Sequence, residues 1–149
     1  MYTIEEFDVT KTKILKYLLY KKRTEFEIRR KFSNSVEENL LEDVIQELKE
    51  NGYISDENYI ERAINEYMAI NTLSLKEIKY KLLSKGLNSN IIEQYVDKNI
   101  EELNIYEINS AKKIINKKSN IEENDIKAYL YKKGYKQDNI KQAFEECMN

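Results

Sequence analysis

Histidine is absent from this chain of 149 residues, and cysteine occurs once. Without histidine, no His-based general base, histidine metal cluster or Ser-His-Asp triad can form. The single cysteine, Cys147, cannot form an intrachain disulfide, which indicates a reducing compartment. We therefore expect no catalytic residue, no metal site and no cofactor.

Proline is also absent, and there are only three glycines. Because helix breakers are so rare, the composition favours an all-α chain with short connections. The 41% hydrophobic content is enough for a core, and the 35% charged content indicates helices with solvated faces. No apolar run approaches the roughly 18–20 residues needed to span a bilayer, and the first ten residues do not resemble a signal peptide. We expect a cytoplasmic protein with no membrane contact.

A step of 48 residues runs without a gap through the second half of the chain. The recurring positions are apolar residues at helical spacing, a glycine and basic residues: Ile60/Ile108, Ala63/Ala111, Ile78/Ile126, Lys79/Lys127, Leu82/Leu130, Lys85/Lys133, Gly86/Gly134 and Ile92/Ile140. A fainter copy precedes them at a step of 50, with Ile14, Thr24 and Ile28 matching Ile64, Ser74 and Ile78. Self-similarity of this kind indicates stacked units, each too small to bury its own apolar face.

The repeat predicts three tandem three-helix modules, stacked into an elongated, curved array that is a monomer. The predicted modules are residues 1–54, 55–103 and 104–149. The nine helices are predicted near 11–22, 24–33, 36–51, 56–71, 75–85, 89–103, 105–118, 121–133 and 137–147. Four Ser/Thr-x-x-Glu patterns, beginning at Thr24, Ser35, Ser74 and Ser119, predict capping boxes. The glycines at 52, 86 and 134 each precede a large apolar residue, which predicts Schellman endings.

The net charge of −2 conceals segregated charges. Basic residues dominate residues 13–31 and 112–141, whereas acidic residues dominate residues 37–66. Such blocks are typical of a protein with one phosphate-binding face and one protein-binding face. They are also consistent with a highly charged helical protein whose faces are simply solvated, and charge alone favours this second interpretation without excluding the first.

The modules together resemble the RecX family. The junction Leu-Lys-Glu-Asn-Gly-Tyr-Ile-Ser-Asp-Glu-Asn-Tyr, from Leu48 to Tyr59, resembles the family pattern L-x-x-x-G-(Y/L)-(L/I)-x-D-x-x-(F/Y). Residues 75–87 resemble the basic helix that follows it and ends in K-G-(I/L/V), and the third module ends similarly at 133–135. The resemblance runs from about Lys13 to Phe144. Two departures are Tyr59-Ile60-Glu61-Arg62-Ala63, where Phe-Ala-x-x-(Y/W) is usual, and Thr72-Leu73-Ser74, where Gly or Pro is common.

The resemblance implies a non-catalytic regulator of the RecA recombinase, with a role in homologous recombination, DNA repair and the SOS response. RecX-like proteins lie in the groove of the RecA–DNA filament and inhibit its ATPase, its growth and strand exchange. The resemblance therefore implies contact with single-stranded DNA through the filament. The candidate RecA- or DNA-binding residues are basic side chains near or on the second helix of each module: Lys21, Lys22, Arg23, Arg29, Arg30, Lys31, Lys79, Lys81, Lys85, Lys127, Lys132 and Lys133.

Three of these residues, Arg29, Lys79 and Lys127, occupy one equivalent position, so they predict a basic ladder along the stack. The alternative is that they are ordinary C-terminal helix cations, which stabilise the macrodipole. The sequence also allows two interpretations of Tyr80 and Tyr131. They are either stacking platforms for bases or core residues.

Two other function classes remain open at this point. A helix-turn-helix-like module would bind duplex DNA in a sequence-specific manner through a distinct recognition helix. A TPR- or HEAT-like scaffold would bind only protein, with no salt-sensitive nucleic-acid binding.

Overall fold

The computed structural model describes residues 1–148, which contain nine α-helices and no strand. The helices are α1 (Ile4–Tyr20), α2 (Glu25–Phe32), α3 (Glu38–Glu50), α4 (Asp56–Ile70), α5 (Leu75–Ser84), α6 (Ser89–Lys98), α7 (Ile100–Lys117), α8 (Glu123–Lys133) and α9 (Gln137–Met148). The predicted all-α class is confirmed.

Three predicted helix boundaries are wrong by several residues. Helix α1 begins at Ile4 rather than near residue 11, because the Thr3 hydroxyl accepts the Glu6 N–H at 3.0 Å and caps an earlier turn. Helix α6 ends at Lys98 rather than near residue 103, and α7 begins at Ile100 rather than near 105. The break is at Asn99, whose side-chain amide donates to the last-turn carbonyl of Tyr95 at 2.8 Å.

Two of the four predicted capping boxes are confirmed, and both begin a second helix. The hydroxyls of Thr24 and Ser74 each accept the N–H of a glutamate three residues later, and that glutamate accepts the N–H of the capping residue. Both capping residues are fully buried. The first turn of each second helix is therefore fixed by a reciprocal pair of hydrogen bonds.

The capping boxes predicted at Ser35 and Ser119 are wrong. Ser35 belongs to the turn that closes α2, where its N–H donates to Phe32 O at 3.1 Å. The carboxylate of Glu37 caps α3 instead by accepting two backbone N–H groups, and these bonds lower its pKa. Ser119 likewise lies in a turn, and α8 begins after Glu122 without a side-chain cap.

The glycine endings are confirmed in their backbone conformation. Gly52, Gly86 and Gly134 have φ angles of 79°, 82° and 102°, in the left-handed region that favours glycine. At the end of α3, the N–H of Tyr53 donates to Leu48 O at 2.8 Å, the long hydrogen bond of a Schellman motif. The equivalent bond at the end of α8 is 3.1 Å long.

The buried apolar side chains form three clusters along the chain. They span residues 14–54, 60–106 and 111–144. In each cluster the first helix packs on the third, as α1 on α3, α4 on α6 and α7 on α9. This division is consistent with three repeats, although the module boundaries themselves stay a prediction.

The molecule exposes more surface than a compact protein of its size. Its accessible surface is 9972 Å² for a mass of 17.9 kDa. A compact monomer of that mass exposes only about 8000 Å². The excess is consistent with the predicted elongated stack, and the curvature of the stack stays a prediction.

Buried hydroxyl groups connect the second helices end to end. Thr24 Oγ1 donates to the carbonyl of Lys85 at 2.8 Å, which joins the start of α2 to the end of α5. Ser74 Oγ donates to the carbonyl of Lys133 at 2.7 Å, which joins the start of α5 to the end of α8. We call these contacts the first joint and the second joint, and the helices α2, α5 and α8 the second-helix row.

A carboxylate from the following module completes each joint. At the first joint, Asp56 Oδ1 accepts the N–H of Glu25 at 3.0 Å, and burial raises the pKa of Asp56 despite this bond. At the second joint, Glu107 Oε2 accepts the N–H of Leu75 at 2.7 Å. Each carboxylate thereby satisfies a first-turn N–H that the helix leaves unpaired.

The second joint carries many more hydrogen bonds than the first. Lys133 Nζ donates to the carbonyl of Thr72 at 3.2 Å, and Ser110 Oγ donates to the carbonyl of Asn71 at 3.3 Å. Tyr106 Oη donates to the carbonyl of Leu73 at 2.7 Å. Among residues 1–148, only the bonds from Thr24 and Glu25 cross the first joint. The second and third modules are thus tied together more firmly than the first and second.

The elongated stack predicts a large radius of gyration. A compact chain of this length has a radius of about 15 Å, and we expect small-angle X-ray scattering to give about 18 Å or more. A measured radius at the compact limit would exclude the open stack, although not the helical assignment.

The packing at the first joint predicts different costs for alanine at two glycines. At Gly52 a Cβ meets no atom within 4 Å, so Gly52→Ala should cost only the left-handed strain of about 1 kcal/mol. At Gly86 a Cβ overlaps Cβ and Cγ of Phe26, so the cost should rise to about 3 kcal/mol. Urea unfolding of the two variants measures the difference. Equal losses would show that the ends of α2 and α5 are not packed as described.

Candidate functional site

The structure places the twelve candidate cations in two regions. Lys21, Lys22 and Arg23 lie in the connection between α1 and α2. The other nine lie on the second-helix row, within α2, α5 and α8 or at the C-cap of α5. Because the row joins its helices end to end, side chains from three modules share one continuous element.

The ladder residue Arg29 is paired with two carboxylates. Its Nε lies 3.0 Å from Glu25 Oε2, and its two terminal nitrogens lie 2.6 and 3.1 Å from the carboxylate oxygens of Glu42 on α3. The hydrogen bond to Glu42 raises the pKa of Arg29 above its ordinary value, while the same bond lowers the pKa of Glu42. Arg29 therefore ties the second helix of its module to the third.

The equivalent residues make similar contacts in the other modules. Lys79 Nζ lies 3.2 Å from Glu93 Oε1 on α6, which again connects the second helix to the third. Lys127 Nζ lies 3.9 Å from Glu123 Oε1 on its own helix and 5.3 Å from the ring centroid of Phe144 on α9. The repetition of the ladder therefore has an intramolecular explanation, and its role in binding stays a prediction.

The two lysines at the joints differ in their surroundings. Lys133 Nζ donates to Thr72 O at 3.2 Å and lies 3.8 Å from Glu77 Oε1, so it helps to close the second joint. Lys85 is the C-cap of α5, and its side chain has no ion-pair partner among residues 1–148.

Exposed cations remain on the second-helix row. The side chains of Arg30, Lys31, Lys81 and Lys132 are exposed, and none forms an ion pair with another described residue. On the second-helix row, these four are the exposed candidates whose charge no described ion pair neutralises.

A residue outside the predicted set joins this surface. Lys76 is exposed at the start of α5 and lines a cleft of about 370 Å³ at the second joint, together with Tyr80, Lys81 and Lys132. The sequence did not predict Lys76 as a binding residue, because the step of 50 pairs it with no basic residue. The residue 50 positions before Lys76 is Phe26, which is not basic.

The two tyrosines in question are not core residues. Tyr80 is 74% exposed and Tyr131 is 61% exposed. The core interpretation is therefore excluded for both, while stacking on bases stays a prediction.

The connection between α1 and α2 presents the remaining candidates. The guanidinium carbon of Arg23 lies 4.4 Å from the ring centroid of Tyr17, a cation–π contact that fixes this side chain. Lys21 and Lys22 are exposed and line a cleft at the first joint.

The contrast between neighbouring arginines on α2 predicts different effects on stability. Arg29→Gln removes the two-carboxylate pairing and should cost about 1 kcal/mol, which lowers the melting temperature by about 3 °C. Arg30→Gln, beside it, is the matched control and should change stability by less than about 0.5 kcal/mol. Thermal unfolding at low salt tests this, and equal melting temperatures would contradict the structural role of Arg29.

The sequence of this chain is similar to those of known regulatory proteins. It is 33% identical over 150 residues to the regulatory protein RecX of Finegoldia magna, covering 93% of this chain and 69% of that protein. It is 32% identical over 137 residues to the regulatory protein RecX of Staphylococcus haemolyticus, covering 89% of this chain and 51%, about half, of that protein. No protein-family model matches the sequence.

Solved structures show the same fold. The crystal structure of RecX from Lactobacillus salivarius superposes with a TM-score of 0.81 at 26% identity, covering 97% of this chain and 98% of that one. A second crystal structure, of a regulatory protein RecX, has a TM-score of 0.75 at 19% identity and supports the fold alone. None of the described helices is long and apolar enough to cross a membrane. The suspected resemblance is confirmed: this chain belongs to the RecX family of regulatory proteins.

Proposed function

We propose that this chain regulates the RecA recombinase by binding in the groove of the RecA–DNA filament. There it restrains ATP hydrolysis, filament growth and strand exchange. The proposal rests on membership of the RecX family and on the surface that the second-helix row presents. We further propose that it acts without catalysis, as a cytoplasmic monomer, and meets single-stranded DNA through the filament.

The second-helix row supports binding across more than one filament subunit. Its helices contain 8, 10 and 11 residues, which at 1.5 Å per residue give a contour of roughly 45 Å. A small globular domain is about 30 Å across. A row of this length can contact neighbouring protomers at once, and each further contact gains from the effective concentration that the first one creates.

The exposed cations supply the chemistry for a surface close to phosphates. No described ion pair neutralises the charges of Arg30, Lys81 and Lys132. The three residues lie on three different helices of the row. Each phosphate that such a side chain neutralises releases a counterion, which makes binding salt-dependent. The ladder residues, by contrast, would first have to break their ion pairs with carboxylates. We therefore place the contact with phosphates mainly on the exposed, unpaired cations.

The function is tested by RecA ATPase activity on single-stranded DNA. The wild-type chain should inhibit, and its inhibition should weaken as salt rises. The triple variant Arg30→Glu, Lys81→Glu and Lys132→Glu should need a concentration at least about tenfold higher for the same inhibition, because three charge contacts are reversed. Its circular dichroism should be unchanged, since all three side chains are exposed.

A matched acidic control is available on the same molecule. Glu38, Glu101 and Glu102 are exposed, and replacing them with glutamine should preserve or strengthen inhibition. Glu37 and Glu42 are unsuitable, because the first caps α3 and the second pairs with Arg29. Wild-type inhibition by the basic triple variant would exclude this surface as the contact. Inhibition without salt dependence would favour the protein-only scaffold, and sequence-specific duplex binding would favour the helix-turn-helix alternative.

A further inference from the structure

A cleft of about 470 Å³ lies at the first joint. Its walls are the end of α1 with the residues that follow it, one face of α4 and the end of α5. No residue of α2 or α8 lines it, so α5 is the only helix of the second-helix row that contributes to it, through its C-cap Lys85. The volume is within the range of roughly 300–1,000 Å³ that is usual for small-molecule sites.

Aromatic rings line this cleft on two sides. Tyr20, at the end of α1, is 91% exposed, and its ring is available for stacking. Tyr59 and Tyr67 lie two helical turns apart on the same face of α4, and both are half-buried. Burial raises the pKa of Tyr59 to about 12. Its hydroxyl, like that of an ordinary tyrosine, is protonated at neutral pH and can donate a hydrogen bond.

The cleft also carries a surplus of positive charge. Lys21, Lys22, Arg62 and Lys85 line it, and Glu66 is the only lining carboxylate, 3.6 Å from Arg62. The C-termini of α1 and α5 each contribute about half a negative charge. After these are subtracted, about two positive charges remain. A phosphate monoester carries about −1.5 to −2 at pH 7, which matches that surplus.

We propose that this cleft binds one nucleotide, with its base against the tyrosines and its phosphate at the lysines. Base stacking on aromatic side chains and basic groups for phosphate are the two elements of single-strand recognition, and a free mononucleotide offers the same chemistry. The ligand bridges the first module at Lys22 and the second at Arg62 and Lys85. It therefore adds contacts across the joint that has the fewer hydrogen bonds. This inference does not depend on the regulation of RecA.

The test is a titration of the ¹⁵N-labelled full chain, followed by NMR, without RecA. Four probes are used: AMP, adenosine, inorganic phosphate and a single-stranded dA12 oligonucleotide. Saturable shifts are expected at the amides of Tyr20, Lys22 and Lys85. Adenosine and phosphate should each bind at least about tenfold more weakly than AMP, because each offers only one of the two contacts.

Matched variants separate the cleft from the rest of the basic surface. Tyr20→Ala and Lys22→Gln should each weaken AMP binding about tenfold, the effect expected for losing one stacked ring or one charged contact. Both side chains are exposed, so the fold should be preserved. Tyr53→Ala and Lys113→Gln remove an exposed tyrosine and an exposed lysine that do not line the cleft, and they should leave the affinity for AMP unchanged.

The probes also identify the source of the nucleotide. Binding of dA12 at the cleft without binding of AMP assigns the site to single strands, while tight AMP binding assigns it to free nucleotides. The proposal is overturned if neither probe gives saturable shifts at the cleft. It is also overturned if phosphate binds as tightly as AMP, or if the control variants lose as much affinity as Tyr20→Ala. Any of these results leaves the RecA ATPase measurement unaffected.

Discussion

Two buried hydroxyl groups, on Thr24 and Ser74, determine how the modules of this protein stack. Each caps its own helix by accepting a backbone N–H, and each donates its hydrogen to the last carbonyl of the next second helix. The positive end of one helix dipole thereby meets the negative end of another. Because the same atom holds both helices, the start of one second helix is located relative to the end of the next second helix within a hydrogen-bond length. The continuity of the second-helix row follows from that contact.

The same joints limit which residues can occupy neighbouring positions. At Gly134 an added Cβ would lie 2.8 Å from Lys76 Cβ and 3.2 Å from the Ser74 hydroxyl, so the close approach excludes a side chain there. The carboxylate beside each joint is less constrained. Asp56 is the first residue of α4, whereas Glu107 lies well inside α7. Both carboxylates nevertheless accept the first N–H of a second helix. The joint requires an oxygen at one point in space, and the two modules provide it from different sequence positions.

This distinction explains how much of the structure could be predicted from the sequence. The all-α class, the glycine endings and the caps at Thr24 and Ser74 depend on residues within one turn of each other, so the local pattern predicts them. The roles of Glu107 and Lys76 depend on contacts between modules, and neither residue belongs to the exact repeat. For the basic ladder, the repeat located equivalent positions correctly but could not show that Glu42 and Glu93 lie opposite two of them. Equivalent positions in a repeat share structural contacts first, and a shared binding role is a separate question.

The two joints differ in how many hydrogen bonds hold the neighbouring modules together. The connection 71–74 before α5 is held by Tyr106, Ser110, Lys133 and Tyr135 of the third module, through bonds to backbone carbonyls of residues 71–73. The first joint has no such network among the described residues, and the two hydrogen bonds that cross it both involve the first turn of α2. Local opening follows the distribution of such contacts, so hydrogen bonding restrains the first joint less than the second.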